Sequence, residues 1–317
     1  MFQKYKYILA VYEEGCFTKA AERLFISQPS LSVAVSNIEK KIGAPLFERG
    51  GKRLKLTEVG SAYITAAQKI QQSEVSFLKQ LEDLNGLQSG KLVIGGSNYL
   101  SSYVLPQLIY SFRRKYPNVE IILKEANSIH LKEMLLSEEL DLVIDNFEDE
   151  NTNLEKYPLI EENILLCVPA EYNVNKALEK FKIQPDSIYE NNGNIELVRS
   201  VELSDFSDIP FVLLKSGNDM YDRANNMFKD SNITPKVVFD VDQLNISYAL
   251  AESGLGGCFI TDTFFKYRKH ASNTVLYKLN HSKAKRMLHI VYKKGKYCTK
   301  AMQEFMKITQ EMIGKTN

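Results

Sequence analysis

A chain of 317 residues, 44% hydrophobic and 25% charged, is long enough for two or three compact units and has the balance of a globular protein in water. No run of about 18 uncharged apolar residues occurs, and "MFQKYKYILAVYEEG" carries acids in its apolar stretch and no small-residue cleavage site. These features predict neither a membrane span nor a signal peptide, hence a cytoplasmic protein. The net charge of +1 conceals an asymmetry: residues 1–60 hold ten Lys/Arg against six Asp/Glu, and the remainder thirty against thirty-three. A basic head on a slightly acidic body matches the footprint of a DNA-reading module, though a solvated helix face gives the same excess.

In chain order, Tyr5, Ile8, Leu9 and Tyr12 share one face of a first helix that stops at Gly15, a residue suited to the left-handed turn at a helix end. Thr18 is the predicted N-cap of a short second helix with Ala20, Ala21 and Leu24 facing inward. Ser27 caps a third helix, with Pro29 in its first turn where the missing N–H has no intrahelical partner. Leu31, Ala34, Val35, Ile38 and Ile42 form its buried face, which turns Gln28, Ser32, Ser36, Asn37 and Lys40 outward. Such a helix start suits a phosphate backbone, with Gln28 and Ser32 able to meet base edges in a major groove. An ordinary solvated three-helix packing produces the same pattern. "APLFER" and "GGKRLKL" then predict a two-stranded wing bearing Arg49, Lys52, Arg53 and Lys55. After Thr57, the residues Val59, Tyr63, Ala66, Ile70, Phe77, Leu81 and Leu84 recur near heptad spacing, predicting a helix of about 29 residues that needs a partner, most simply its own copy.

Past "NGLQSGKL" strands and helices alternate. The strands are "KLVIGG", "VEIILKEA", "LDLVIDN", "NILLCVP", "IPFVLL", "KVVFDV", "GLGGCFI", "TVLYKL" and "MLHIVYKK". The helices run from about Ser101 to Lys115, around His130 to Ser137, over Asp219–Lys229 and Leu244–Glu252, and over Thr299–Ile313. Alternation predicts a largely parallel sheet with right-handed crossovers, in two α/β lobes with a cleft at the carboxyl ends of strands.

The stretch "FTKAAERLFISQPSLSVAVSNIEKKIGAPLFERGGKRLKLTEVG" closely resembles the winged helix-turn-helix signature of LysR-type transcriptional regulators, and the later "LP", "YP", "LDLVI", "VP" and "GLG" fall in that family's order. The resemblance spans essentially the whole chain. It implies a multidomain protein: an all-α winged helix-turn-helix over residues 1–58, a linker and dimerisation helix over 59–89, and an α/β, two-lobed, periplasmic-binding-protein-like effector domain over 90–317. Lobe one would take about 90–165 with 263–317, and lobe two about 166–262. The implied partners are double-stranded promoter DNA, a small carboxylate or amino-acid-like effector, RNA polymerase, and further copies in a homodimer or homotetramer. Position by position, Gln28, Pro29 and Ser32 match the base-reading residues, and Thr18, Ser27, Ser30, Arg49 and Arg53 match backbone-facing or wing positions, beside which Ser36 and Lys52 are also assigned to DNA. Val33-Ala34 departs from the pattern, because many relatives carry a polar or basic residue there. Thr261 stands where a proline is common, and residues 172–206 form a longer segment than usual.

For the effector, the resemblance points to Ser97, Asn98, Tyr99 and Ser101 (with Ser102) after the first strand. Strand ends add Asn127, Ser128, Asp145, Asn146, Lys215, Ser216, Asp242 and Gln243. Hydroxyls at a helix start suit an anion, and ordinary capping uses them equally. Asp145 and Asp242 beside Lys215 suit an amine-bearing ligand, a helix cap or an interlobe salt bridge. No catalytic set is found: His130, His270, His281 and His289 lack metal-ligand spacing, and "GLGGC" is a lone glycine turn. No enzyme activity, metal or cofactor is expected. Cys16, Cys167, Cys258 and Cys298 show no C-x-x-C. A redox-sensing regulator using Cys167 and Cys258 is one alternative, with buried inert thiols favoured. A solute-binding protein is the other, and it would have no winged head.

Overall fold

The computed structural model describes residues 4–48, 54–84, 90–147, 153–183, 195, 198–267 and 273–313. The chain divides into two compact units, Met1–Leu81 and Glu82–Asn317.

In the first unit α1 (Tyr5–Glu14), α2 (Phe17–Arg23) and α3 (Gln28–Ile42) pack around Ile8, Leu9, Val11, Ala20, Ala21, Leu31, Val35 and Ile38. Gly15 at φ +61° and Gly43 at φ +83° end α1 and α3 in the left-handed conformation that glycine takes without steric cost. The N-cap of α2 is Cys16, not Thr18: the chain returns to extended backbone at Cys16, and Thr18 already lies inside the helix with its side chain exposed. The end of α2 uses the same left-handed device without glycine. The N–H groups of Phe25 and Ile26 donate to the carbonyls of Glu22 and Ala21, both at 3.0 Å. Phe25 sits at φ +54° with its ring 96% exposed, an unfavoured residue for that conformation.

An antiparallel bridge between Phe47 and Leu56 forms the base of the predicted wing. Arg49, Lys52 and Arg53 lie outside the described residues. Thr57 then starts α4 (Glu58–Leu84), accepting from the Gly60 N–H at 2.9 Å and donating to the Pro45 carbonyl at 2.7 Å. The helix is about 40 Å long. Tyr63, Ile64 and Ala67 from its first turns belong to the core of the unit, so Tyr63 is not part of an open seam. Val75, Phe77, Leu78 and Leu81, further along, are exposed.

The second unit begins with β1 (Lys91–Gly96), a π-helical turn over Leu100–Val104, α5 (Leu105–Lys115), β2 (Glu120–Glu125), α6 (Ser128–Leu136) and β3 (Leu142–Asp145). It continues through β4 (Leu154–Pro169), the one-turn α7 (Val174–Ala177), β5 (Lys182–Ile183), β6 (Pro210–Leu214), α8 (Asp219–Asp230) and β7 (Lys236–Val241). It closes with α9 (Leu244–Glu252), β8 (Cys258–Thr261), α10 (Asp262–Tyr267), β9 (Thr274–Lys278), β10 (Lys285–Lys293) and α11 (Lys300–Ile313).

The main sheet has strand order β2-β1-β3-β10-β4-β9-β5, with β8 also paired to β4, and β6-β7 form a separate pair. The sheet is mixed, not largely parallel. Crossover helices make β1–β2, β1–β3 and β6–β7 parallel, while β10, β4, β8, β9 and β5 meet their neighbours antiparallel. Strand β4 joins the two halves: it pairs with β10 up to Asn163 and with β8 and β9 from Ile164 on. Its first half escapes sequence reading because "EKYPLIEE" mixes charge with a proline. Pro158 is accommodated where the register with β10 shifts, between Leu288 and His289.

Candidate functional site

Two sets of side chains invite function. The first is the free face of α3. The Ser27 hydroxyl caps the helix by accepting from the Ser30 N–H at 3.3 Å, and its oxygen lies 2.8 Å from that of Ser30. Gln28, Pro29, Ser30 and Ser32 are exposed, as is Thr18 on α2, and Ser36 is half-buried. A 15-residue helix with a capped start, no acid in its first turn and Lys40 and Lys41 in its last presents free N–H groups and partial positive charge at the Gln28 end.

The second set lines a cleft of about 530 Å³, open mouth included, in the C-terminal unit. It brings together Ser97, Asn98 and Tyr99 after β1, Ser128 at the start of α6, Asp145 at the end of β3 with Asn146 after it, and Asp242 and Gln243 before α9. Five other expected residues, Ser101, Ser102, Asn127, Lys215 and Ser216, do not line it. Ser101 lies in the π-helical turn and donates to the Gly96 carbonyl at 3.1 Å, because the helix starts earlier than its hydroxyl suggests. Asn127 caps α6 through the His130 N–H at 3.0 Å. Lys215 is exposed and pairs with Asp242 at 2.8 Å, a salt bridge between the ends of the paired strands β6 and β7 and not the interlobe one expected, and Ser216 lies beside it. The sequence reading missed Asp219, Arg286 and Leu288, which also line the cleft.

Those missed residues organise it. Asp219, in the first turn of α8, accepts from Arg223 Nε with both oxygens, at 2.8 and 3.0 Å, and from Arg286 Nη1 at 2.9 Å. Burial opposes its charge, but Arg286 and Arg223 hold its carboxyl below the ordinary range. Arg286 also grips Glu162, with Nε and Nη2 at 2.7 and 2.6 Å from Oε2. Glu162 is fully buried and accepts from the Thr263 hydroxyl, which in turn accepts from Tyr99 at 2.7 Å. Asp145 accepts from Ser128 Oγ at 3.0 Å and from the Asn146 N–H at 2.7 Å. Burial, with the charge of Asp219, pushes Asp145 up to about 6. Asn98 Oδ1 and Asn146 Nδ2 are buried with no hydrogen-bond partner. Polar groups close to a ligand cleft and left without partners are set up to meet one.

Cys167 and Cys258 face each other across the β4–β8 ladder, and both are fully buried. The Cys258 thiol is pushed well above its ordinary value, first by its hydrogen bond to Cys167 and then by burial, which suppresses the thiolate that oxidants attack. Exposed Cys16 is lowered by the backbone N–H groups of Lys19 and Thr18. Alkylation of the native protein is therefore expected to reach Cys16 first, and Cys167 and Cys258 only after unfolding. Peptide mass spectrometry of iodoacetamide adducts reads this directly, and native labelling of Cys258 ahead of Cys16 would reverse the assignment.

The comparisons with known proteins agree with this arrangement. Residues 2–61 match the model of the bacterial regulatory helix-turn-helix protein, lysR family, and residues 85–313 match the LysR substrate binding domain. The chain is 28% identical over 316 residues to the uncharacterized HTH-type transcriptional regulator YcgK of Bacillus subtilis, covering 98% of this chain and 94% of that one. It is 26% identical over 310 residues to a probable RuBisCO transcriptional regulator of Nostoc, covering 96% and 85%. Full-length CbnR complexed with its target DNA is similar in fold, with TM-score 0.60 at 19% identity and 100% of both chains covered. A full-length OxyR from Pseudomonas aeruginosa gives 0.63 at 21%, covering 99% and 97%. With a capped helix of exposed polar face in the N-terminal unit, a lined cleft in the C-terminal unit and family models matched in that order, the chain belongs to the LysR family of DNA-binding transcriptional regulators with an effector-binding domain.

Proposed function

We propose that the cleft of the C-terminal unit is the effector site and that its occupancy sets how α3 engages promoter DNA. The observation that carries this is the pair of buried, partnerless amide atoms, Asn98 Oδ1 and Asn146 Nδ2, lining one cleft. Ser97, Asn98, Tyr99, Ser128, Asp145, Asn146, Asp242 and Gln243 surround the ligand in this reading, with Lys215 and Ser216 nearby, Asn127 fixing α6, and Ser101 fixing the β1 exit. Gln28, Pro29 and Ser32 meet base edges, while Thr18, Ser27, Ser30, Ser36 and the wing's Arg49, Lys52 and Arg53 hold the phosphate backbone. The exposed Val75, Phe77, Leu78 and Leu81 of α4 support a homodimer or homotetramer built through this helix, since a reader of two half-sites holds two recognition helices about one DNA turn apart. No helix among the described residues is long and apolar enough to cross a membrane. In this reading the protein is a cytoplasmic regulator that acts beside RNA polymerase, without catalysis of its own.

The effector half is tested by melting the full chain against a metabolite library, since a ligand at about 100 times its Kd adds about 2.7 kcal/mol. A stabilising compound whose effect survives Asn98→Ala and Asn146→Ala would move the site elsewhere. The DNA half is tested with Gln28→Ala on operator DNA selected from genomic fragments. A lost bidentate base contact costs about 1–3 kcal/mol, or roughly 5- to 150-fold in affinity, with little change on non-specific DNA at the same salt. Equal losses on both DNAs would demote Gln28 to a backbone contact.

A further inference from the structure

Resting on the cleft reading above, we propose that the ligand is a small amine cation that carries a second, hydrogen-bond-accepting group, with its ammonium seated on Asp145 and Asn98. The charges around the cleft argue first. Of the charged side chains that line it, Asp145, Asp219, Asp242 and Arg286, the one cation is already held between two carboxylates, Glu162 and Asp219. Arg223 covers the other side of Asp219, and Lys215 covers Asp242 at the rim. Asp145 is 4% exposed, and its partners are the Ser128 hydroxyl and the Asn146 backbone N–H, with no ion pair among the described residues. Among the described residues it is the one carboxylate of the lining with no ion pair, and it feels Arg286 only at a distance.

The helix ends argue second. Helices α6, α8 and α9 all begin at the cleft, and their partial positive charges favour an anion there. The protein supplies two of those anions itself. Asp145 takes the Ser128 hydroxyl at the start of α6, and Asp219 stands in the first turn of α8. A ligand carboxylate would add a fourth negative charge to a lining that already carries Asp145, Asp219 and Asp242, so the expected carboxylate effector is disfavoured.

The orphan atoms argue third and fix the ligand's shape. Asn146, 5% exposed, has a buried Nδ2 with no acceptor within hydrogen-bond distance, though its amide also helps hold the Asp219 carboxyl down, and Asn98 Oδ1 is a buried acceptor without a donor. An ammonium has three N–H groups, enough for Asp145 and Asn98 together, whereas Asn146 Nδ2 asks for an oxygen. A hydroxyl, carbonyl or amide on the same molecule provides it. The upward push on Asp145 is the cost of keeping its charge buried, and a cation relieves that cost.

The test is calorimetric titration and thermal shift of the full chain with ethanolamine, glycinamide, 3-aminopropanol and lysinamide, against propionate, succinate, benzoate and acetamide. At least one amine is expected to bind, with affinity reduced about 10- to 100-fold by Asp145→Asn, the size of a charge-assisted hydrogen bond. Asn98→Ala, on a half-buried side chain, is expected to weaken the same amine, and it keeps the test available should Asp145→Asn fold poorly. Binding of a carboxylate that Asn146→Ala removes, with no amine binding, leaves the cleft reading standing and overturns the cation inference. Amine binding unaffected by Asp145→Asn and Asn98→Ala overturns both, whereas failure of every amine to bind overturns the cation inference and leaves the cleft reading to the library screen.

Discussion

Replacing Arg286 with alanine is expected to destabilise residues 82–317 by about 3–5 kcal/mol and to lower their melting temperature by roughly 10 °C. The guanidinium is shared by Glu162 and Asp219, at 2.6 and 2.9 Å. Without it Glu162, fully buried, keeps the Thr263 hydroxyl but loses its countercharge. Asp219 retains Arg223, so the larger part of the loss falls on Glu162. Because the cost is that of a stranded charge, Glu162→Gln with Arg286→Met should be less harmful than Arg286→Ala alone. Circular dichroism melts of the three variants decide this. An Arg286→Ala melt within about 2 °C of the parent would mean that water reaches Glu162 and the pair is not truly buried.

The second large effect is expected at Gly60 in the N-terminal unit. A Cβ there would lie 2.0 Å from the Leu46 carbonyl oxygen and 2.9 Å from its carbon, both backbone atoms. That carbonyl is held in place by the Thr57 N–H at 3.0 Å. Any larger residue must lift the start of α4 off the base of the wing. Gly60→Ala should cost about 3 kcal/mol, the upper end of overpacking, and should weaken DNA binding as the wing loses its support. Helix propensity alone predicts the opposite, a gain of about 1 kcal/mol for alanine inside a helix. The sign of the change in melting temperature therefore separates close backbone approach from local preference, and a more stable Gly60→Ala would refute the packing account.

Periodicity is a local property, and the elements that depend on it were legible. The caps at Ser27, Gly15 and Gly43, the buried face of α3 and the bounds of α9 all come from residues within a few positions of one another. Strand ends also predicted much of the cleft lining, because loops after parallel strands converge on one edge of a sheet. Reading failed where a local signal was ambiguous or a partner was distant. Thr18 was a plausible cap two residues from the one used, and the first half of β4 was hidden by Pro158.

Asp219 reads as an ordinary acid in a first helical turn, and Arg286 as one charge in an alternating strand. Their meaning is the bond between them across 67 residues, and with Glu162 across 124. By itself the sequence determined the family, the two kinds of unit and the face of α3 turned outward, since helix and strand periods and turn residues act over short range. Only the tertiary structure decided which charges cancel and which are left over. The balance that leaves Asp145 without an ion pair among the described residues is a sum over segments that meet in space, and sequence spacing carries no record of it.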